Sequence, residues 1–322
     1  MDIFKYILKR LWQTIPLIII VSLISFFIIR LSPVDPLAEL RLNPSISQET
    51  LNKEIARLKL NKPIIVQYFS WAGSFLKGDL GYTSDGEKVS VKLKERIPNT
   101  LLLTLIVILM TWLCGIPLGI LAAVKKETAI DRGLTIISSV GMAIPSFFFA
   151  ILMLIFAVKT GWFPVGGLTS YNYNELSFWG KFVDIAKHLV LPVIVLFTIS
   201  LSGLQRQMRG NMLEVLDSEY IKFARAKGLS ESKVIFKHAL RNAVNPMITL
   251  LGFEFAGLLS GAALTEYVFQ YPGLGRLILE AVMKSDINLV MASLMMGTMM
   301  LIAGNLIADI LLMITDPRTK TS

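Results

Sequence analysis

Charge and cysteine are both scarce in this sequence. Of its 322 residues 17% are charged, two are histidines and one is a cysteine. Cys114 has no partner for a disulfide within the chain, and its apolar surroundings suit a small packing residue. No His-Glu-x-x-His, Cys-x-x-Cys or Ser-His-Asp arrangement occurs, so no catalytic residue and no metal site is expected. A phosphate-binding Gly-x-x-x-x-Gly-Lys-Ser/Thr loop is also missing, because the lone Gly180-Lys181 is followed by Phe182. Internal repeats and low-complexity tracts are absent, which argues against the inverted-repeat plan of many secondary transporters.

What the chain has in excess is apolar length. Hydrophobic residues make up 54% of it, and the mean hydropathy is +0.62. Six runs are long enough for a bilayer, which needs about 20 largely uncharged residues. They are residues 11–29, 97–124, 133–158, 188–205, 242–265 and 287–315, the fifth broken by Glu254 and the last by Asp309. Backbone polar groups in hydrocarbon must bond internally, so each run is expected as a helix. The fold class is all-α, a polytopic membrane protein with six transmembrane helices.

An even number of crossings puts both termini on one side. With the termini in the cytoplasm, sixteen Lys and Arg fall on about 70 inside residues and sixteen on about 120 outside residues. That density fits the positive-inside rule and accounts for most of the formal charge of +9, leaving nucleic-acid binding without its main support. The first run is too long for a signal-peptide core, and Leu31-Ser32-Pro33 follows it instead of a small-residue cleavage site, so it reads as an uncleaved anchor.

Two parts outside the membrane stand out. The external segment should hold an amphipathic helix from Ser47 to Leu60, then an apolar-aromatic run from Ile64 to Leu76 after the breaker Asn61-Lys62-Pro63. The loop between the fourth and fifth helices reads as helix, stop, helix. Ser218 is expected to cap the first helix, Lys227-Gly228 to stop it, and Ser230 to cap the second, which carries Val234, Ile235, His238 and Ala239 on one side. Such a basic and apolar elbow suits docking into a groove of a cytoplasmic partner, or lying on anionic lipid.

Within the spans, Glu254 is costly at its depth, by about 2.5–3.5 kcal/mol for a charge. It either lines a translocation route or hydrogen-bonds a neighbouring helix. Asp309 is expected to pack against a neighbour or form an ion pair with a cytoplasmic-side Lys or Arg, and not to meet solute. His188 and His238 fall on opposite sides of the membrane. Met291, Met295, Met296, Met299 and Met300 read as packing residues, Pro145 and Pro192 as kinks, and Trp162 and Trp179 as interfacial aromatics.

The loop also carries a resemblance. Tyr220, Ala224-Arg225-Ala226-Lys227-Gly228-Leu229-Ser230, His238-Ala239-Leu240-Arg241-Asn242-Ala243 and Pro246 are similar to the loop motif of ABC-importer permeases, in the dipeptide/oligopeptide/nickel permease version. Of the general motif (Glu-Ala-Ala, three residues, Gly, nine residues, Ile-x-Leu-Pro) only Ala224, Gly228 and Leu240 match; the peptide-permease wording matches far better. The likeness continues along the chain. It takes in Leu31-Ser32-Pro33-Val34-Asp35-Pro36 (with Val34 where the family usually has Gly), Gly78-Asp79-Leu80-Gly81 and Ile144-Pro145-Ser146-Phe147. Towards the C-terminus it takes in Thr265-Glu266-Tyr267-Val268-Phe269, Pro272-Gly273-Leu274-Gly275, Asn305 with Asp309, and Asp316-Pro317-Arg318.

This resemblance implies a bacterial inner-membrane subunit with both termini cytoplasmic. It implies a division into residues 1–31 (N-terminus and first helix), 32–99 (external segment), 100–318 (permease core of five helices) and 319–322 (tail). It further implies a second, distinct homologous permease, two cytoplasmic ATPases that hold ATP and Mg, an extracytoplasmic solute-binding protein, and no cofactor on this chain. Residues 219–242 would be the coupling helix, with Tyr220, Ala224 to Ser230, His238, Leu240, Arg241 and Asn242 facing the ATPase. Di- or oligopeptides are the expected solute, with nickel or a nickel chelate as the rival class and secondary transport as a remoter alternative.

Overall fold

A computed structural model describes residues 3–31, 37, 41, 47–57 and 60–315, and the regular structure among these is helical. Helix α1 is Ile3–Leu31. Helix α2, Gln48–Arg57, begins where capping predicts: the Ser47 hydroxyl accepts from the Thr50 amide at 3.2 Å, and Leu51 is buried. The Ser32–Pro36 motif, Leu58, Asp316-Pro317-Arg318 and the tail lie outside the described residues. Helix α3 is Ile64–Leu76, the same bounds as the second external run. Its Tyr68 stacks edge-on against Phe26 of α1 at 5.5 Å and shares a 2.8 Å hydrogen bond with Ser22, so α3 is fastened to the first helix.

Helix α4, Val89–Val124, spans 36 residues, and the expected domain boundary at 99/100 falls inside it. The third apolar run does not form one straight span. It forms α5 (Ala129–Ala143) and α6 (Ser146–Thr160), bent by 96°. Pro145 has no N–H to donate and disfavours helical angles at the residue before it, and Ile144 is accordingly extended, with φ −83° and ψ 120°.

Helix α7, Phe178–Leu216, is capped by Ser177 and carries Pro192 inside it. At about 1.5 Å per residue it is nearly twice as long as the hydrocarbon core is thick, so it projects well beyond its own apolar run. Helix α8, Glu219–Ala226, leads to a continuous stretch, α9, over residues 231–243. Helices α10 (Asn245–Val268), α11 (Leu274–Met283) and α12 (Ile287–Thr315) complete the order. Among the described residues α1, α4, α7 and α12 are each long and apolar enough to cross a membrane, and the bent α5–α6 pair makes a fifth candidate.

Helices α4 and α7 form the most extensive pairing. Gly115 and Gly119 make the close approach possible: a Cβ on Gly119 would lie 2.6 Å from the Met208 Cβ, and one on Gly115 would lie 2.8 Å from Leu204. Small residues four apart are a common device for bringing helix backbones together in lipid. Helix α5 is joined to α7 by polar pairs. Arg209 holds Asp131 through two bonds of 2.6 and 2.7 Å, and Ser138 donates to Gln205 at 2.5 Å. Asp309 pairs with Arg10 at 3.1 Å through both carboxylate oxygens, the second of the two arrangements expected for it. Met291, Met295 and Met300 are buried, as packing residues should be, Met296 is half-buried, and Met299 departs from the expectation by lying exposed.

Candidate functional site

Two places carry the residues singled out in the sequence. The first is the elbow formed by α8 and α9. Helical spacing puts Ile221 and Ala224 on the inner side of α8, where they join Val234, Ala239 and Ala243 of α9, Met208 and Met212 of α7, and Ile120 and Ala123 of α4 in one buried cluster. Residues 234–239 form a π turn. Its wider spacing brings Val234 and Ala239, five residues apart, into that cluster together; nothing in the sequence pattern announces this turn.

The outer side is exposed. Tyr220, Phe223 and Phe236 present their rings to the surroundings, with Lys222, Arg225, Lys227, Lys237 and Arg241 beside them. The turn between the helices depends on Gly228, whose φ of +78° favours glycine. Three contacts hold the elbow's shape. Arg225 bonds both carboxylate oxygens of Glu231 at 2.9 and 3.3 Å, Asn242 donates to the Tyr220 hydroxyl at 2.6 Å, and the Lys227 ammonium sits 4.6 Å over the Phe223 ring. Lys222 donates to Glu219 at 3.1 Å and lies near Asp217, and these partners raise its pKa above the ordinary lysine value.

The expected site residues therefore divide by side. Tyr220, Arg225, Ala226, Lys227, Gly228, Ser230, Arg241 and Asn242 are exposed, Leu229, His238 and Leu240 are half-buried, and Ala224 is buried beneath them. Both expected serine caps need correction. Ser218 and Ser230 occupy the N-cap positions, but neither side chain accepts a capping bond, and the Ser218 hydroxyl instead donates back to the Val215 carbonyl at 2.5 Å. That carbonyl, in the last turn of α7, also accepts from the Ser218 amide at 3.1 Å.

Glu254 stands apart from the elbow, on α10. The Trp112 indole of α4 donates to its carboxylate at 2.7 Å. It also lines a cavity of about 340 Å³ with Ile144 and Ser146 at the α5–α6 break, Ser200 of α7 and Gly257. The carboxylate thus bonds a neighbouring helix, as one of the two readings has it, and also faces open space.

Sequence reasoning missed a third group. Glu266, fully buried, accepts from Thr100 at 2.8 Å and from the Arg276 amide at 2.9 Å, so it closes the N-terminus of α11. Gly273 and Gly275 leave room for it, and Thr100 in turn accepts from the Leu274 amide at 2.7 Å. The words Thr265-Glu266 and Pro272-Gly273-Leu274-Gly275 were already visible in the sequence, and their interaction is the signal that could have been read there.

Comparison with known proteins adds family evidence to this geometry. Residues 115–321 match the model of the binding-protein-dependent transport system inner membrane component, and residues 3–104 match that of its N-terminal membrane component. The oligopeptide transport system permease protein AppB of Bacillus subtilis (strain 168) is 40% identical over 318 residues, covering 98% of this chain and 99% of that protein. The di/tripeptide transport system permease protein DppB of Pseudomonas aeruginosa (strain UCBPP-PA14) is 36% identical over 335 residues, covering 98% of each. The dipeptide transport system permease protein DppB of Escherichia coli (strain K12) is 35% identical over the same length and coverage.

Proposed function

This chain belongs to the binding-protein-dependent transport permeases of ABC importers, and on that footing we propose that it forms part of the route by which di- or oligopeptides cross the inner membrane. As a member it is a transport component, not a catalytic one, and the family implies a solute-binding protein and ATPase partners. Peptide is the solute class because the relatives similar over nearly the full length carry peptide in their names.

The finer assembly follows from the same reading. Helices α1, α4, α5–α6, α7, α10 and α12 make six crossings with both termini in the cytoplasm. Residues 32–99 form an external segment, 100–318 the permease core and 319–322 the tail. A second permease, a distinct homologue, covers the face on which the Glu254 cavity opens, since a carboxylate there is too costly to leave against lipid. ATP and Mg are held by two cytoplasmic ATPases, and this chain holds no cofactor.

The observation that carries the coupling role is the two-sided elbow. Its inner side is locked to α7 and α4 by the buried cluster, and its outer side offers Tyr220, Phe223 and Phe236 among cations. Exposed aromatics with flanking charge are the composition of a protein contact more than of an idle surface. A push on this elbow is passed to α7, which runs unbroken into the bundle.

The test is co-purification of the ATPase with Gly228→Asp and with Ala224→Asp. The first forces a side chain onto a positive φ, and the second places a charge in the buried cluster. Both variants are expected to lose the ATPase while the permease remains in the membrane. Retention in both would refute the assigned elbow.

A further inference from the structure

A second cavity, of about 510 Å³, lies between α6, the end of α10 and α11. Ile151, Leu154, Val268 and Met283 form apolar wall, while Arg276 and Glu280 of α11 line the same space. These two form an ion pair of 2.6 Å, and Arg276 also donates to the Gln270 carbonyl at 2.5 Å. Neither side chain is sealed away, with 25% and 31% of their surfaces exposed, so the pair can meet a solute in the cavity. Its position is also fixed, because the Arg276 amide is bonded directly to the buried Glu266 carboxylate.

This cavity and the Glu254 cavity are both lined by α6 and α10. Along α10 the ten residues from Gly257 to Tyr267 correspond to about 15 Å. The Arg276–Glu280 pair of α11 and the Glu254 carboxylate of α10 thus line two cavities that share α6 and α10 as walls. A guanidinium beside an apolar wall is suited to a carboxylate attached to an apolar chain, because it offers two parallel donors.

The geometry points to a peptide-binding subsite here: Arg276 receives the C-terminal carboxylate of a peptide whose side chain rests on Ile151, Leu154 and Met283, and Glu280 neutralises the guanidinium while the site is empty. The proposal rests on the peptide reading above and adds to it the group of the peptide that is recognised.

Uptake into vesicles holding the complete transporter tests it, with the binding protein saturated by a labelled tripeptide either as free acid or as C-terminal amide. Arg276→Gln is expected to lower free-acid uptake about tenfold and amide uptake by less than about twofold. Arg276→Lys keeps the cation and is expected to hold the free-acid preference within about threefold. Equal loss for both peptides in Arg276→Gln, no loss at all, or a lost preference in Arg276→Lys overturns the subsite. If the unsubstituted transporter carries neither peptide, the peptide reading itself falls and the subsite with it, before any variant is compared.

Discussion

Glu266 shows how much a single residue decides here. Its carboxylate gathers Thr100 of α4 and the first turn of α11, and Tyr271 beside it donates to the Asn99 carbonyl at 2.8 Å. Burial, with the nearby Glu266 charge, pushes the Tyr271 phenol up, so it stays a donor across any usable pH. Glu266→Ala strands the Arg276 amide and the Thr100 hydroxyl inside, at a cost of about 2–3 kcal/mol. Thermal unfolding in detergent should show that loss, and Glu266→Gln, which keeps an acceptor, should lose less. Equal midpoints for Glu266→Ala and the unsubstituted chain would contradict the capping role. Its tie to Thr100, 166 positions away, leaves no signal in the sequence, unlike its bond to the Arg276 amide ten positions on.

At the scale of elements, periodicity and capping located the helices well where the cause is local. Ile64–Leu76 and the Gly228 stop follow from neighbours a few residues off. The bend between α5 and α6 was only half legible: Pro145 signals a kink, but a turn of 96° also depends on what receives α5, here Arg209 and Gln205 of α7.

A tie between elements gives a pH prediction. Asp85, in the loop before α4, accepts from Lys92 at 3.2 Å and Lys284 at 3.3 Å, and these bonds hold its carboxyl below the ordinary value. A folded pKa below the unfolded one means the tie is complete above the ordinary carboxylate value of about 3.9 and is lost as pH falls through the folded value. Half exposed, the tie is worth less than about 1 kcal/mol. Amides of residues 82–88 should therefore lose exchange protection as pH falls below the ordinary carboxylate value, after correction for intrinsic rates, and Asp85→Asn should abolish the pH dependence. Unchanged protection in the unsubstituted chain would exclude it.

For the whole molecule, the arrangement separates the two-sided elbow from the cavity that Glu254 lines in the bundle, with α7 belonging to both. Glu254→Ala should accordingly reduce solute uptake by about tenfold while the ATPase still co-purifies, because Glu254 touches Trp112 and the cavity but not the elbow. Full uptake would remove Glu254 from the route. The sequence by itself determined the helical class, the lipid setting, the family and the position of the elbow. Each of these rests on hydropathy, charge density or short words of sequence, which act over a few residues. Only the tertiary structure decided that Glu254 meets Trp112, 142 positions away, that Arg276 and Glu280 share a cavity with α6, and that a π turn aims α9 into the cluster. Helix packing sets which faces meet, and a one-dimensional pattern shows that a helix has an apolar face without saying what covers it.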